Sequence, residues 1–183
     1  MSHRQRLTFT CILLGVFQAG SVTAEVPAPI RAGEEQDPEK VVQYLAAWES
    51  HIRPFSDGSA KLVAQSIEQS DWKSACVYGI MEDGCVVLQS EMKLLVNAER
   101  LAACATTNEG RRKAAILLHR IYSNFPEHII ESARGYWKGG IVEIRQTVPD
   151  VAEKLELNLV TPLDRLEKEF IKPRTQYWKS KLE

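Results

Sequence analysis

The sequence lacks the short motifs that mark the common catalytic and metal-binding centres. It contains no His-x-x-x-His, no Glu-x-x-His, no Cys-x-x-Cys and no Gly-x-Ser-x-Gly. The first two spacings place metal ligands on one helical face, the third supports thiol exchange, and the fourth presents a hydrolase serine. The glycine patterns that cradle phosphate groups are absent as well. We therefore predict no metal and no cofactor, and an enzyme only if its active groups are scattered along the chain.

Neither sign of charge dominates this chain. Its 183 residues include 23 Lys and Arg against 24 Asp and Glu. Domains that bind nucleic acid usually carry a basic face, so we expect no nucleic-acid partner. Beyond the N-terminal region there is no apolar run near the about 20 residues that a transmembrane helix needs. The composition therefore predicts a soluble protein without a stable membrane span.

The N-terminal 24 residues have the three-part pattern of a cleavable export signal. Arg4 and Arg6 form a basic start, an apolar core follows over 7–17, and small residues precede Ala24, where a signal peptidase would cut. Cleavage would leave 159 residues (183 − 24) with a formal charge of −3 (21 basic against 24 acidic side chains). The predicted organisation is a signal peptide over 1–24, a flexible leader over 25–36 and a single helical domain over 37–183. The predicted location is periplasmic or secreted, with a bacterial and a eukaryotic source both open.

Three cysteines remain after cleavage, and an oxidising compartment favours one disulfide among them. If Cys85 and Cys104 share a helix, they are 19 helical steps or roughly 28 Å apart, whereas a disulfide needs Cα atoms within about 7 Å. Cys76 and Cys85 flank a plausible turn at 81–84, so this pair is the predicted disulfide. Pairing of Cys76 with Cys104, and three reduced cysteines, remain alternatives.

Apolar residues at helical spacing predict an all-α protein. Asp37-Pro38-Glu39 has the pattern of a helix start, with a capping side chain, a proline in the first turn and then an acid. Prolines and glycine-containing turns then divide the chain into an irregular bundle of about six to seven helices; Pro54, for example, is predicted to end the first one. The buried face of that first helix is predicted from spacings of four, three and four residues at Val41, Leu45, Trp48 and Ile52.

Two segments also fit strands. Asp83-Gly84 between two apolar runs is a hairpin signal, which gives an α+β alternative with a small hairpin near 76–89. The segment 141–148 alternates apolar and polar residues, as a strand with one buried face does. In the first segment we prefer two helices that meet at Gly84, because the apolar residues that follow Gly84 continue at helical spacing. In the second segment, length favours a helix.

Four titratable residues close together in the sequence are the weak catalytic candidates. They are His119, His128, Glu131 and Arg134. His128 and Glu131 are three residues apart and would share one helical face. Such pairs are common on solvated helix surfaces, so a packing or surface role is the simpler interpretation.

Aromatic residues near helix ends are the candidates for a contact surface. Trp72 lies near a predicted helix start, and Tyr177 and Trp178 lie among basic residues in the C-terminal segment. Trp48 and Trp137 instead fall on apolar helical faces and are expected to anchor the core. We therefore expect Trp72 and Trp178 to be exposed.

The predicted function is binding of a protein partner by an exported helical protein, with an effector-neutralising, chaperone-like or secretion-accessory role. The alternatives are a small exported enzyme and a carrier of apolar ligands with a dispersed site. A homodimer is also open, because Gly135 and Gly139 are four residues apart and would let another helix approach closely.

Overall fold

The computed structural model describes residues 26–30 and 34–183; the predicted signal peptide lies outside them. The described residues form four long helical segments and no strand. The all-α prediction is therefore confirmed, whereas six to seven separate helices and the hairpin near 76–89 are wrong. The first two segments are α1 (Pro38–Glu68) and α2 (Trp72–Ala103). The third, α3 (108–145), consists of Asn108–Phe125, a π-helical turn at Pro126–Ile130, and Glu131–Arg145. The fourth, α4 (149–180), consists of Pro149–Leu155, a π-helical turn at Glu156–Val160, Thr161–Leu166, a second π-helical turn at Glu167–Ile171, and Lys172–Ser180.

The helix count differs because prolines lie inside these helices instead of ending them. Pro54 sits within α1, which runs on to Glu68. A proline has no N–H and its ring crowds the carbonyl four residues earlier, so the helix must widen or bend to continue. Each of the three π-helical turns in the described residues is next to a proline. The first turn begins at Pro126, and the other two end two residues before Pro162 and Pro173. The wider turns absorb the prolines, and the chain keeps its helical direction.

Short turns join the helices, so neighbours along the chain run antiparallel. The turn between α1 and α2 contains Ser70, whose φ of 56° lies in the left-handed region. Its N–H donates to Ile67 O at 2.9 Å, and the N–H of Asp71 donates to Ser66 O at 2.8 Å. These two bonds form a Schellman motif, in which the left-handed position is usually glycine.

Side-chain caps fix three helix starts. Asp37 accepts from the N–H of Glu39 at 2.9 Å, so the predicted start of α1 is confirmed. Asp71 accepts from the N–H of Ser74 at 3.2 Å and begins α2, and Thr107 accepts from Gly110 at 3.0 Å and begins α3. Each cap satisfies one of the amide groups that a helix start leaves without a partner.

The interior is built from one apolar face of each helix. The four predicted α1 positions, from Val41 to Ile52, are all at most 1 % exposed. The helices α2 and α3 approach closely at two glycines: a Cβ on Gly84 would lie 2.5 Å from Nε1 of Trp137, and one on Gly140 would lie 2.5 Å from Sδ of Met81. Gly135 and Gly139, which the sequence suggested for a close approach, have nothing within 4 Å of such an atom.

Part of the predicted leader lies against the bundle. Val26 and Ile30 pack on the core, and the carbonyl of Pro27 accepts a hydrogen bond from Arg165 Nη2 at 3.2 Å. A short 3-10 turn at Glu34–Gln36 then leads into α1. None of the helices in the described part of the chain is long and apolar enough to span a membrane.

Candidate functional site

The two predicted catalytic histidines do not meet. His119 is half-buried on α3 with its Nε2 3.5 Å from the hydroxyl of Ser123, whereas His128 is exposed in the π-helical turn. They are nine residues apart in the sequence, which corresponds to roughly 13 Å of helix. This separation does not bring the two imidazoles to one substrate atom.

The other two candidates form a surface ion-pair group. Arg134 contacts the carboxylate of Glu131 through Nη1 and that of Asp164 through Nη2, the latter at 2.6 Å. Both carboxylates are exposed, and Asp164 belongs to α4. The guanidinium of Arg134 therefore links α3 to α4, and its donors are directed at these two partners.

The predicted disulfide between Cys76 and Cys85 is wrong. Both residues lie on α2, nine residues or roughly 13 Å apart, and Cys104 caps the end of the same helix. The described part of the chain contains these three cysteines, and none of them forms a disulfide. Cys76 and Cys104 are exposed, while Cys85 is buried, and burial raises the pKa of the Cys85 thiol from 9.0 to about 12.

A buried polar cluster ties α2, α3 and α4 together, and the sequence did not predict it. Arg174 donates to both carboxylate oxygens of Glu99, from Nε at 2.8 Å and from Nη2 at 2.5 Å. The hydroxyl of Tyr122 and the indole N–H of Trp178 also donate to Oε1 of Glu99, at 2.8 and 3.2 Å. We call Glu99, Tyr122, Arg174 and Trp178 the Glu99 cluster.

Electrostatics in the Glu99 cluster follow from its burial. Glu99 and Arg174 are 0 % exposed, and such a pair is tolerated when its donors and acceptors are satisfied. Burial lowers the pKa of Arg174, but the hydrogen bonds and charge of Glu99 raise it above the usual value overall. Burial, together with Glu99, raises the pKa of Tyr122 well above 10.0. The guanidinium also lies over the rings of Tyr177 and Trp178, at 4.3 and 4.8 Å from their centroids.

The Glu99 cluster is sealed from solvent, so it stabilises the fold and offers no group to a ligand in this conformation. Its one signal in the sequence is Glu99 itself, which follows Leu88, Met92 and Leu95 on the apolar face of α2. The cluster also explains Trp178, which we expected to be exposed and which is buried instead. Tyr177 is half-buried against the core.

Four of the large apolar side chains that are exposed in the described part of the chain lie on the outward face of α2. Trp72, Val86, Leu94 and Leu101 are 64, 46, 47 and 71 % exposed. Isolated exposed apolar residues are normal, whereas several on one helix face indicate a candidate interaction surface. We call the following ten residues, which carry one charge between them, the outer face of α2: Trp72, Cys76, Gly79, Asp83, Val86, Ser90, Leu94, Asn97, Leu101 and Cys104.

No protein-family model, no curated protein and no solved structure matches this chain. Over residues 26–30 and 34–183, no group of three or more His, Cys, Asp and Glu side chains could hold a metal ion. What the protein does is therefore inferred from the geometry of its surface and interior.

Proposed function

We propose that this protein is exported and acts by binding a protein partner through the outer face of α2. The observation that carries the proposal is the exposure of Trp72, Val86, Leu94 and Leu101 along one helix face that has a single charged residue, Asp83. When a partner covers apolar side chains on a surface, their removal from water lowers the free energy of the complex.

The rest of the molecule supports binding over catalysis. His119 and His128 are separated along α3, and Arg134 is held by two carboxylates. The buried charges of Glu99 and Arg174 satisfy each other. A rigid helix that presents apolar anchors is the usual form of a helix-in-groove or helix-against-helix contact.

The test is site-specific photocrosslinking in the compartment where the protein resides. A photoreactive residue replaces Leu94, and a matched control replaces Leu117 of α3, since these side chains are 47 and 50 % exposed. We expect a discrete protein adduct from position 94 and none from position 117. No adduct at position 94, or the same adducts at both positions, would overturn the proposal.

Export is tested separately by sequencing the N-terminus of the protein recovered from the periplasm or the medium. A mature chain that begins at Glu25 supports the predicted signal peptide. An intact N-terminus on protein recovered from the cytosol would contradict it.

A further inference from the structure

We infer that the protein bound by the outer face of α2 is a second copy of this chain, packed antiparallel about a two-fold axis at Ser90. The inference rests on the proposed function, because it requires the outer face to be a binding surface. It names the partner, the register of the contact and the residues that meet.

The spacing of the outer face is symmetric about Ser90. From Cys76 to Cys104 its nine positions follow one another at intervals of 3, 4, 3, 4, 4, 3, 4 and 3 residues, the same in both directions. A two-fold interface needs this property, since each residue of one copy meets the corresponding residue counted from the other end. The eight intervals sum to 28 residues and average 3.5, which is the average spacing of the contact residues when two helices coil around each other.

The side chains that this register brings together are complementary in size and polarity. Gly79 lies opposite Leu101 of the second copy, so the smallest residue of the face receives one of the largest. Val86 lies opposite Leu94, which makes an apolar layer on each side of the axis. Single polar groups also match, since Asp83 lies opposite Asn97, whose amide can donate to the carboxylate.

Charges beside the face are complementary as well. Glu82 and Arg100 are 18 residues, or five full turns, apart, so they lie on the same edge of α2. In the proposed register, Glu82 of one copy lies at about the level of Arg100 of the other, roughly 12 and 15 Å along the helix from Ser90. Neither side chain forms an ion pair with another of the described residues. Two such pairs across the axis would favour the antiparallel orientation.

The exposed cysteines complete the pattern. Cys76 of each copy lies opposite Cys104 of the other, at the two ends of the contact. When each such pair of thiols exchanges with oxidised glutathione, one S–S bond forms between the copies and one bond of glutathione disulfide breaks. The two thiol protons and two electrons pass to glutathione, which leaves as two thiols. An oxidising compartment would thus staple the dimer at both ends.

Sedimentation of the purified protein in reducing buffer tests the contact without the disulfides. We expect a dimer for the unchanged chain and for the control L117K, and a monomer for L94K and L101K with unchanged circular dichroism. E82R or R100E should weaken dimerisation by about tenfold, and the double variant E82R/R100E should recover it, because the pair is restored with its charges exchanged.

Cysteine variants test the antiparallel register. With oxidised glutathione, the unchanged protein should become a covalent dimer on non-reducing gels. Neither C76S nor C104S alone should do so. A mixture of the two variants should recover the covalent dimer, because Cys104 of one then meets Cys76 of the other. A parallel dimer would give the opposite result, with each variant crosslinking to itself and the mixture forming no C76S–C104S heterodimer.

The outcomes separate this inference from the proposed function. A chain that stays monomeric in sedimentation while position 94 crosslinks to a different protein overturns the homodimer and leaves the binding function standing. A monomer without any adduct at position 94 overturns both. A dimer whose stability is unaffected by L94K, L101K and the charge variants overturns the proposed contact surface.

Discussion

His51 of α1 donates its Nε2–H to the main-chain carbonyl of Asn158 in α4, at 2.8 Å. The carbonyl is free to accept because Pro162, four residues later, has no N–H to offer it. His51 is 2 % exposed and packs between the rings of Trp48 and Phe55. Pro162, which lies inside α4, therefore leaves a carbonyl free for a bond that holds α4 to α1.

This relationship predicts that His51→Phe destabilises the protein by about 1–3 kcal/mol, the cost of a buried polar group without a partner. In a Pro162→Ala background the loss should be smaller, since residue 162 then has an N–H that can reach Asn158 O. Urea denaturation of the four proteins provides the double-mutant cycle. Equal losses in both backgrounds would show that the two residues act independently.

Removal of the central acceptor should be the most damaging change in the interior. Glu99→Ala leaves the guanidinium of Arg174 buried without its counter-ion, and the hydroxyl of Tyr122 and the indole N–H of Trp178 lose an acceptor. We expect a loss of about 3–5 kcal/mol in the free energy of unfolding. The double variant Glu99→Leu/Arg174→Met should be more stable than Glu99→Ala, because it removes both charges, and a less stable double variant would contradict this account.

Two glycines in the same fold should respond in opposite directions to alanine. Gly84→Ala forces a Cβ against the fully buried indole of Trp137 and should cost about 1–3 kcal/mol. Gly135→Ala places its methyl group in open space and should stabilise α3 by about 0.5–1 kcal/mol. Thermal unfolding followed by circular dichroism measures both variants, and a stabilising Gly84→Ala would mean that α2 and α3 are not in close contact there.

The turn after α1 offers a stabilising change. The backbone of Ser70 has a φ of 56°. Residues other than glycine adopt this left-handed conformation at a cost in free energy. Ser70→Gly should raise the free energy of unfolding by about 0.5–1 kcal/mol, while Ser70→Ala, which retains a Cβ, should give no gain. Equal effects of the two substitutions in chemical denaturation would rule out relief of backbone strain as the cause.

Alkaline conditions should destabilise the protein through its buried thiol. Because the pKa of Cys85 is raised from 9.0 to about 12, the folded state keeps a proton that the unfolded state loses. This contribution is complete below pH 9 and is lost as the pH rises toward 12. Burial also raises the pKa values of Tyr44, Tyr78 and Tyr122, which add to the loss above pH 10.

Urea denaturation at several pH values, in reducing buffer, measures this alkaline loss. Stability should fall less steeply above pH 9 in Cys85→Ala than in the unchanged protein. The same slope in both proteins would show that Cys85 titrates alike in the folded and unfolded states.

Local features of this protein could be predicted from the sequence. The buried face of α1 followed from residue spacing, and the cap at Asp37 followed from the Asp-Pro-Glu pattern. The helical state of 76–89 followed from apolar residues that continue beyond Gly84, but the predicted break at Gly84 is wrong, because α2 runs through it. The candidate site was harder to predict from the sequence. Trp72 is exposed, as expected, whereas Trp178 was expected to be exposed and is buried. Its burial depends on a hydrogen bond to Glu99, which lies 79 residues earlier.

The sequence by itself determined that the protein is helical and which face of α1 is buried, because these depend on residues within a few turns of one another. Only the tertiary structure decided that Pro54 and Pro162 lie inside continuous helices, that Cys76 and Cys85 share a helix, and that Glu99 pairs with Arg174. Each of these outcomes balances a local preference against contacts with distant helices. Burial of the apolar faces favours continuous helices across the prolines. It also brings the carboxylate of Glu99 and the guanidinium of Arg174 together, and each neutralises the charge of the other.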